Sequence, residues 1–316
     1  MKYSTTIVNN QVIGLITKSQ SGFYSVHCKH GVIQCKLRGH LNHKRISSNL
    51  AAIGDNVTIN LLDDGTGIIT NILERKSFLS RNAPKSTNDN IPKHRYHQIE
   101  QVLIANPDQA ILVFACVDPK PNLRMLDRFL VITEANHIPA IICINKIDDS
   151  PNNMHETQFR TYEKIGYKVI YISTFTNKNM VYLREVLSNK ISVLLGPSGV
   201  GKSSILNALN PNLNLPVDEI SRKNKKGKHT TVYPQLIPLD NDSWLADTPG
   251  LKALDFYDIE PEELDAYFRE VAPLVSQCSF SNCSHTHEPN CAIVEAVNAG
   301  QITNQRYNSL IQMKTK

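Results

Sequence analysis

Short alternating runs fill the N-terminal part of the chain. Gln11–Lys18, Phe23–Lys29 and Val32–Leu37 interleave apolar and polar residues and are divided by the turn pairs Ser21-Gly22 and His30-Gly31. Val57–Leu62 and Gly67–Leu73 follow, split by Asp63-Asp64-Gly65. A period of two turns one face of each run to a core and the other to water. Five such runs in close succession predict a small β-barrel. The connection between the third and fourth runs, Arg38-Gly39-His40-Leu41-Asn42-His43-Lys44-Arg45, is basic. An oligonucleotide-binding barrel would use it to hold a phosphate backbone, and a solvated loop on an ordinary barrel accounts for it equally well. Residues 74–98 are polar and punctuated by proline, as a linker is.

The texture then changes. Ala110–Val117 and Ile138–Ile144 are unbroken apolar runs of strand length, and Lys168–Ile172 and Ile191–Leu195, each with a single polar residue, are two more strand-like runs. Between them, Asn122–Asn136, Asn152–Ile165 and a segment around Tyr182–Leu187 repeat apolar residues at helical spacing. Strands alternating with helices predict a parallel sheet covered on both faces. Ligands of such sheets bind at the carboxyl ends of the strands, so the loops after Ile144, Ile172 and Leu195 should converge.

Composition adds bounds. At 316 residues the chain exceeds what one hydrophobic core usually serves, and 41% hydrophobic with 20% charged residues is ordinary for a globular protein. The net charge of +5 permits a polyanionic partner without requiring one. The N-terminus carries no apolar run of the secretory kind, and no segment is long enough to span a membrane, so a cytoplasmic protein is expected. Four of the seven cysteines, Cys28, Cys35, Cys116 and Cys143, lie singly inside apolar runs and read as small buried hydrophobes.

Candidate chemistry centres on Gly196-Pro197-Ser198-Gly199-Val200-Gly201-Lys202-Ser203, which follows the apolar run Ile191–Leu195 and precedes the helical Ser204–Leu209. Strand, glycine loop and helix are the context in which G-x-x-x-x-G-K-S cradles a polyphosphate. Backbone N–H groups turn inward, Lys202 reaches the β- and γ-phosphates, and the Ser203 hydroxyl takes Mg²⁺. Asn145-Lys146-Ile147-Asp148 ends another strand. The Asp148 carboxylate can accept from both N1–H and the exocyclic amine of guanine, donors that adenine lacks there. Asn145 can face the other edge of the base, and the Lys146 stem can cover a ring face. Ser173 opens the next loop and offers hydroxyl and backbone contacts. Asn210–Thr231 is polar and basic and contains Gly227-Lys228-His229-Thr230-Thr231, where a threonine could bind Mg²⁺ once a γ-phosphate closes the loop. Asp247-Thr248-Pro249-Gly250 then supplies a carboxylate for the Mg²⁺ shell and an N–H for the γ-phosphate.

Near the C-terminus, Ile259–Phe268 reads as a helix with Pro261 early and Glu262-Glu263 in its first turn. Cys278, Cys283 and Cys291 follow with His285 and His287 among them. Three thiolates and one imidazole suit a closed tetrahedral Zn²⁺ site, and the segments between are too short for a core of their own. Residues 292–316 look helical and partly basic.

These motifs form a GTPase set in an unusual order, with Asn145–Asp148 before the phosphate loop and Asp247–Gly250 after it. With a barrel in front and a cysteine cluster behind, the chain resembles the circularly permuted GTPases that help mature the small ribosomal subunit, the RsgA or YjeQ family. The resemblance implies an oligonucleotide-binding barrel at 1–73, a linker at 74–98, a permuted α/β GTPase domain at 99–256 and a zinc-binding C-terminal domain at 257–316. It implies GTP hydrolysis to GDP and phosphate with Mg²⁺ (held by Ser203 and Asp247), stimulated by the small ribosomal subunit whose rRNA is bound, in a monomer. It favours Cys278, Cys283, His285 and Cys291 as zinc ligands, and places the switch threonine at Thr230 or Thr231. Leu251 stands where Ras-type enzymes carry a water-orienting glutamine, and the resemblance makes His229 the candidate substitute. The other reading of the same residues is an RNA-binding protein whose nucleotide site regulates without turning over.

Overall fold

In the computed structural model, which describes residues 11–39, 50–82, 100–150, 154–213, 234–240, 242–247 and 259–315, the alternating N-terminal runs close on themselves. Strands β1 (Gln11–Gln20), β2 (Phe23–Cys28), β3 (Gly31–Leu37), β4 (Asn56–Leu61) and β5 (Gly67–Ile72) lie in the order β1-β2-β3-β5-β4, and β4 returns to pair with β1. β3 and β5 run parallel and the other pairs antiparallel. Val12, Ile16, Val26, Cys35, Val57, Ile59 and Ile69 fill the interior. A register shift between Ile16 and Lys18 bends β1, as an extra residue in one strand does. The buried Asp55 carboxylate is held by a two-pronged Arg75 guanidinium, both N–O distances being 2.7 Å, and by the Ala52 N–H at 2.8 Å.

The stretch read as a linker is regular in part. Phe78–Asn82 (β6) pairs antiparallel with Glu100–Ala105 (β7), because Phe78 and Leu79 have an apolar partner strand in which Val102 and Ile104 are buried. β7 also seats the barrel. Ala105 N donates to Ile53 O at 2.8 Å, and a Cβ on Gly54 (φ +86°) would stand 1.9 Å from Ala105 O.

A second unit begins at Asp108. Its strands β8 (Gln109–Ala115), β9 (Ala140–Asn145), β10 (Lys168–Tyr171) and β11 (Ile191–Leu195) are parallel in the order β10-β9-β8-β11. Every residue of β8 and β9 is buried, which is why these runs show no alternation. The helices are α1 (Leu123–Ala135), α2 (Met154–Ile165), α3 (Met180–Leu187) and α4 (Lys202–Leu209). Asn122 caps α1 by accepting from Met125 N. Burial pushes the Cys143 thiol up to about 12 and the Cys35 thiol of the barrel to about 11, so both behave as small hydrophobes.

Strands β12 (Gln235–Pro238) and β13 (Trp244–Asp247) form an antiparallel hairpin. Although it follows the phosphate-loop segment in sequence, this hairpin groups with the barrel, and Lys18 of β1 pairs with Gln235 of β12.

The C-terminal part belongs to the second unit. The helix expected at Ile259–Phe268 is a 3-10 helix over Pro261–Tyr267, opened by a capping box between Glu260 and Glu263. Helices α5 (Ala292–Asn298) and α6 (Asn304–Lys314) follow. Leu264, Phe268, Val271, Ile293, Ile302 and Leu310 form one core with Val131 of α1. At its edge Arg306, 1% exposed, is bonded to Asp127 of α1 at 2.7 Å and to Glu270 at 2.6 Å, and lies 4.3 Å from the Phe268 ring centre. Burial alone would disfavour that charge, but Glu270 and Asp127 more than offset it and raise the guanidinium pKa.

Candidate functional site

The phosphate-loop residues stand at the carboxyl end of β11. Three glycine positions there answer to geometry. Gly196 (φ +151°) passes so near β8 that a Cβ would lie 2.1 Å from Val113 O. Gly201 (φ +93°) would place one 2.3 Å from Asn145 Nδ2, and Gly199 has φ +82°. Pro197 is half-buried, Val200 is buried, and Ser198 and Gly199 are exposed. Lys202 opens α4 and folds back over the loop, donating to Gly196 O at 2.7 Å and to Pro197 O. Ser203 and Ser204 follow in the first turn of α4, both half-buried.

Asn145 joins this loop to its neighbours. Fully buried at the end of β9, it donates from Nδ2 to Val200 O at 3.0 Å and accepts from Thr174 N at 3.3 Å through Oδ1. The loops after β9, β10 and β11 therefore meet at one side chain. The sequence reading has Asn145 face the base; in this structure its amide also bonds two backbone groups and braces the loops. Lys146 takes a left-handed conformation (φ +62°), and its Nζ donates to Asp118 O at 2.8 Å, so the stem spans the gap to the loop after β8. Asp148 is exposed, with its carboxylate open to solvent. Ser173 is buried, and its hydroxyl accepts from Thr176 N at 3.0 Å, shaping its own loop.

Asp247 closes β13, where its backbone pairs with Gln235. His229, Thr230, Thr231 and Gly250 lie outside the described residues, as do Lys44, Arg45 and Leu251.

A second cluster lies in the C-terminal part. One donor atom from each of Cys278, Cys283, His285 and Cys291 falls within 4.8 Å of all the others. His285 Nδ1 lies 3.3 Å from Cys291 Sγ and 3.7 Å from Cys278 Sγ, and the two sulfurs are 3.9 Å apart. Tetrahedral zinc with bonds of ~2.3 Å to sulfur needs sulfur atoms roughly 3.8 Å apart, so the donor set fits a closed metal site. Burial raises the Cys283 thiol; the His285 backbone N–H opposes the rise, and the Cys291 and Cys278 sulfurs reinforce it. Such crowding of sulfurs is relieved when a cation takes the proton's place. His287 is exposed and bonds to Thr286, outside this set.

Sequence reasoning missed the support around His285. Its Nε2 lies 3.0 Å from Asp265 Oδ2, an atom that also receives Lys314 Nζ at 2.6 Å. Tyr307 OH donates to His285 O at 2.8 Å. Burial would raise the Asp265 carboxyl, but the bonds from His285 and Lys314 prevail and hold it below the usual carboxylate range. No spacing rule connects Asp265 to a cluster that begins at Cys278; only folding does.

Residues 13–69 match the model of the RsgA N-terminal domain and residues 72–257 that of the RsgA GTPase. A small ribosomal subunit biogenesis GTPase RsgA from Caldanaerobacter subterraneus subsp. tengcongensis is 38% identical over 303 residues, covering 96% of this chain and 95% of its own. One from Geobacillus sp. is 41% identical over 301 residues, covering 94% of each. The crystal structure of YjeQ from Thermotoga maritima superposes with a TM-score of 0.77 at 33% identity, covering 96% of this chain and 98% of its own. That of YloQ, described as a circularly permuted GTPase, gives 0.73 at 32% identity over 96% and 94%. With a phosphate loop placed after the guanine motif, a barrel ahead of both, and likeness to these relatives from end to end, the chain belongs to the RsgA GTPase family.

Proposed function

We propose that this protein hydrolyses GTP to GDP and phosphate as a maturation factor of the small ribosomal subunit, and that the subunit stimulates the reaction. The observation that carries the reading is the convergence on Asn145. It brings the phosphate loop and the exposed Asp148 to one end of a parallel sheet, in a chain whose full-length relatives are named for that role.

In this reading Asp148 selects guanine, Lys146 covers the base, and Ser173 and Asn145 fix the loops around it. Backbone N–H groups from Gly196 to Ser204 hold the phosphates, and Lys202, now folded onto the Gly196 carbonyl, swings to the β- and γ-oxygens. Ser203 and Asp247 would hold Mg²⁺, which neutralises charge on the phosphate oxygens. Gly250 and one of Thr230 and Thr231 sense the γ-phosphate. Water adds to the γ-phosphorus as the bond to the β–γ bridging oxygen breaks. His229 orients that water, in place of the glutamine replaced by Leu251.

Cys278, Cys283, His285 and Cys291 hold one structural zinc ion, since four protein donors leave no position for a reacting water. The barrel and its basic loop with Arg38, Lys44 and Arg45 grip rRNA. The protein acts as a cytoplasmic monomer; no helix among the described residues is long and apolar enough to cross a membrane.

Phosphate release from GTP and from ATP, with and without purified small subunits, tests the reading. Slow turnover of GTP alone that rises at least ten-fold with the subunit is expected. Turnover indifferent to the subunit, or equal use of ATP, would overturn it.

A further inference from the structure

A groove of about 640 Å³ lies between the segment from Lys120 to Arg124, where the loop after β8 enters α1, and one face of α6. Gln305, Asn308, Ser309 and Gln312 line it from α6, and their spacing sets them on one side of that helix. Lys120, Arg124, Asn308 and Gln312 are exposed, whereas Pro121 and Leu123 are half-buried and Ser309 is buried. Among the described residues Lys120 and Arg124 have no ion-pair partner, and the side chains of Asn308 and Gln312 make no hydrogen bond. No carboxylate is among the lining residues. Asp127, one turn further along α1, is already held by Arg306 at 2.7 Å and by Gln305 Nε2 at 2.6 Å. Those two bonds also fix α1 against α6, so the walls of the groove are set before anything enters it.

We propose that this groove binds one or two unpaired nucleotides of an RNA strand, with phosphates on Lys120 and Arg124 and a base edge on Asn308 and Gln312. The inference rests on the small-subunit reading above for the source of the RNA. Two cations with no carboxylate in the lining favour a polyanion, and phosphate is the charge of a nucleic-acid backbone. The facing side is amide, and an amide offers one donor side and one acceptor side, as a base edge does. The carboxylates of an acidic polypeptide only accept and would leave the amide oxygens unmatched. Pro121 and Leu123 give a ring face an apolar surface to lie against. A volume in the ~300–1,000 Å³ range of small-ligand clefts admits single nucleotides and excludes a duplex, whose bases are taken up in pairing.

The test titrates full-length protein with a short fluorescent single-stranded RNA, and with the duplex of the same sequence, over a range of salt. Lys120→Gln with Arg124→Gln should weaken the single strand about ten-fold. It should also lower the slope of log affinity against log salt by about 1.4, or ~0.7 for each lost phosphate contact. The exchange Lys120→Arg with Arg124→Lys should keep the native slope. Asn308→Ala with Gln312→Ala should weaken the single strand about five-fold and leave the slope alone, because amides release no counterion. Duplex affinity should stay within about two-fold in every variant. All four side chains are exposed, so the variants should melt with the native protein.

An unchanged slope in Lys120→Gln with Arg124→Gln overturns the proposal. So does an equal loss for the duplex, which would make the two cations general surface charge. Poly-glutamate that displaces the single strand as well as unlabelled RNA does overturns it in favour of an acidic polypeptide. A parallel titration with purified small subunits separates this inference from the functional reading. The oligonucleotide effects in a protein that ignores small subunits support the groove and remove only the ribosomal origin of its RNA. Small-subunit binding without those effects keeps the functional reading and overturns the groove.

Discussion

Asn145 reaches from the end of β9 to the carbonyl oxygen of Val200 in the phosphate loop, 3.0 Å away. The contact joins two segments 55 positions apart, and the other end of the same amide takes the Thr174 N–H. Asn145→Ala leaves the buried Val200 carbonyl without this donor, at a cost of about 1–3 kcal/mol, and the half-buried Thr174 N–H without its acceptor, at a smaller one. GTP affinity should drop by at least ten-fold, measured by titration with a fluorescent GTP analogue, with little change in the far-ultraviolet circular dichroism. Affinity within two-fold of the native protein would show that the brace is dispensable.

Gly201 is tied to the same amide from the other side. Alanine there must adopt φ +93° with its Cβ at 2.3 Å from Asn145 Nδ2. Strain of this kind costs on the order of 1–3 kcal/mol. Gly201→Ala should therefore lower the denaturation midpoint and weaken GTP binding together. A stable variant with native affinity would mean that the loop relaxes freely.

Asp265 accepts from His285 Nε2, which leaves Nδ1 as the donor atom that faces the thiols. Asp265→Ala frees the ring to turn and removes the anchor of Lys314. Carboxylates placed behind a ligating histidine contribute about 10–100-fold to metal affinity. Zinc competition against a coloured chelator should show a loss in that range. Cobalt-substituted protein should show an altered visible spectrum, with Asp265→Asn intermediate between the native protein and Asp265→Ala. Identical affinity and spectrum in all three proteins would deny Asp265 this part.

Arg306 is the cation shared by Asp127 and Glu270 at the edge of the C-terminal core. Arg306→Ala takes the cation from both carboxylates and leaves Asp127 only its neutral donors Tyr162 and Gln305, and breaking a buried pair in this way costs about 3–5 kcal/mol. Urea unfolding should register that loss. A change below about 1 kcal/mol would place the pair among contacts of little net worth.

The strands of the barrel, the parallel sheet and the phosphate loop were legible because each rests on a local signal. Alternation, unbroken apolar runs and a glycine loop between strand and helix are read within a dozen residues. The metal cluster was legible for the same reason, its four donors lying close together in sequence. What escaped depends on distant pairing. β6 looked like linker because its partner β7 lies beyond a long polar stretch, and polarity masked the two apolar residues that make the strand. The grouping of β12–β13 with the barrel follows from one bridge to Lys18 and one ring contact with His27, and no pattern around Trp244 announces either. The backbone partners of Asn145, Val200 and Thr174, were not legible, since the motif records which side chain is needed but not which protein atoms it faces.

The bond between Asp127 and Arg306 spans 179 positions. A ribosome making this chain releases α1 long before the residue that neutralises it. Until the last helix emerges, the Asp127 carboxylate must stay hydrated, and water at that place keeps α1 from being sealed against the C-terminal core. The unit that holds the phosphate loop therefore closes only once Arg306 is in place. A prematurely terminated product is not a shorter version of the protein. It is an open one, with the Asp127 side of α1 left to water.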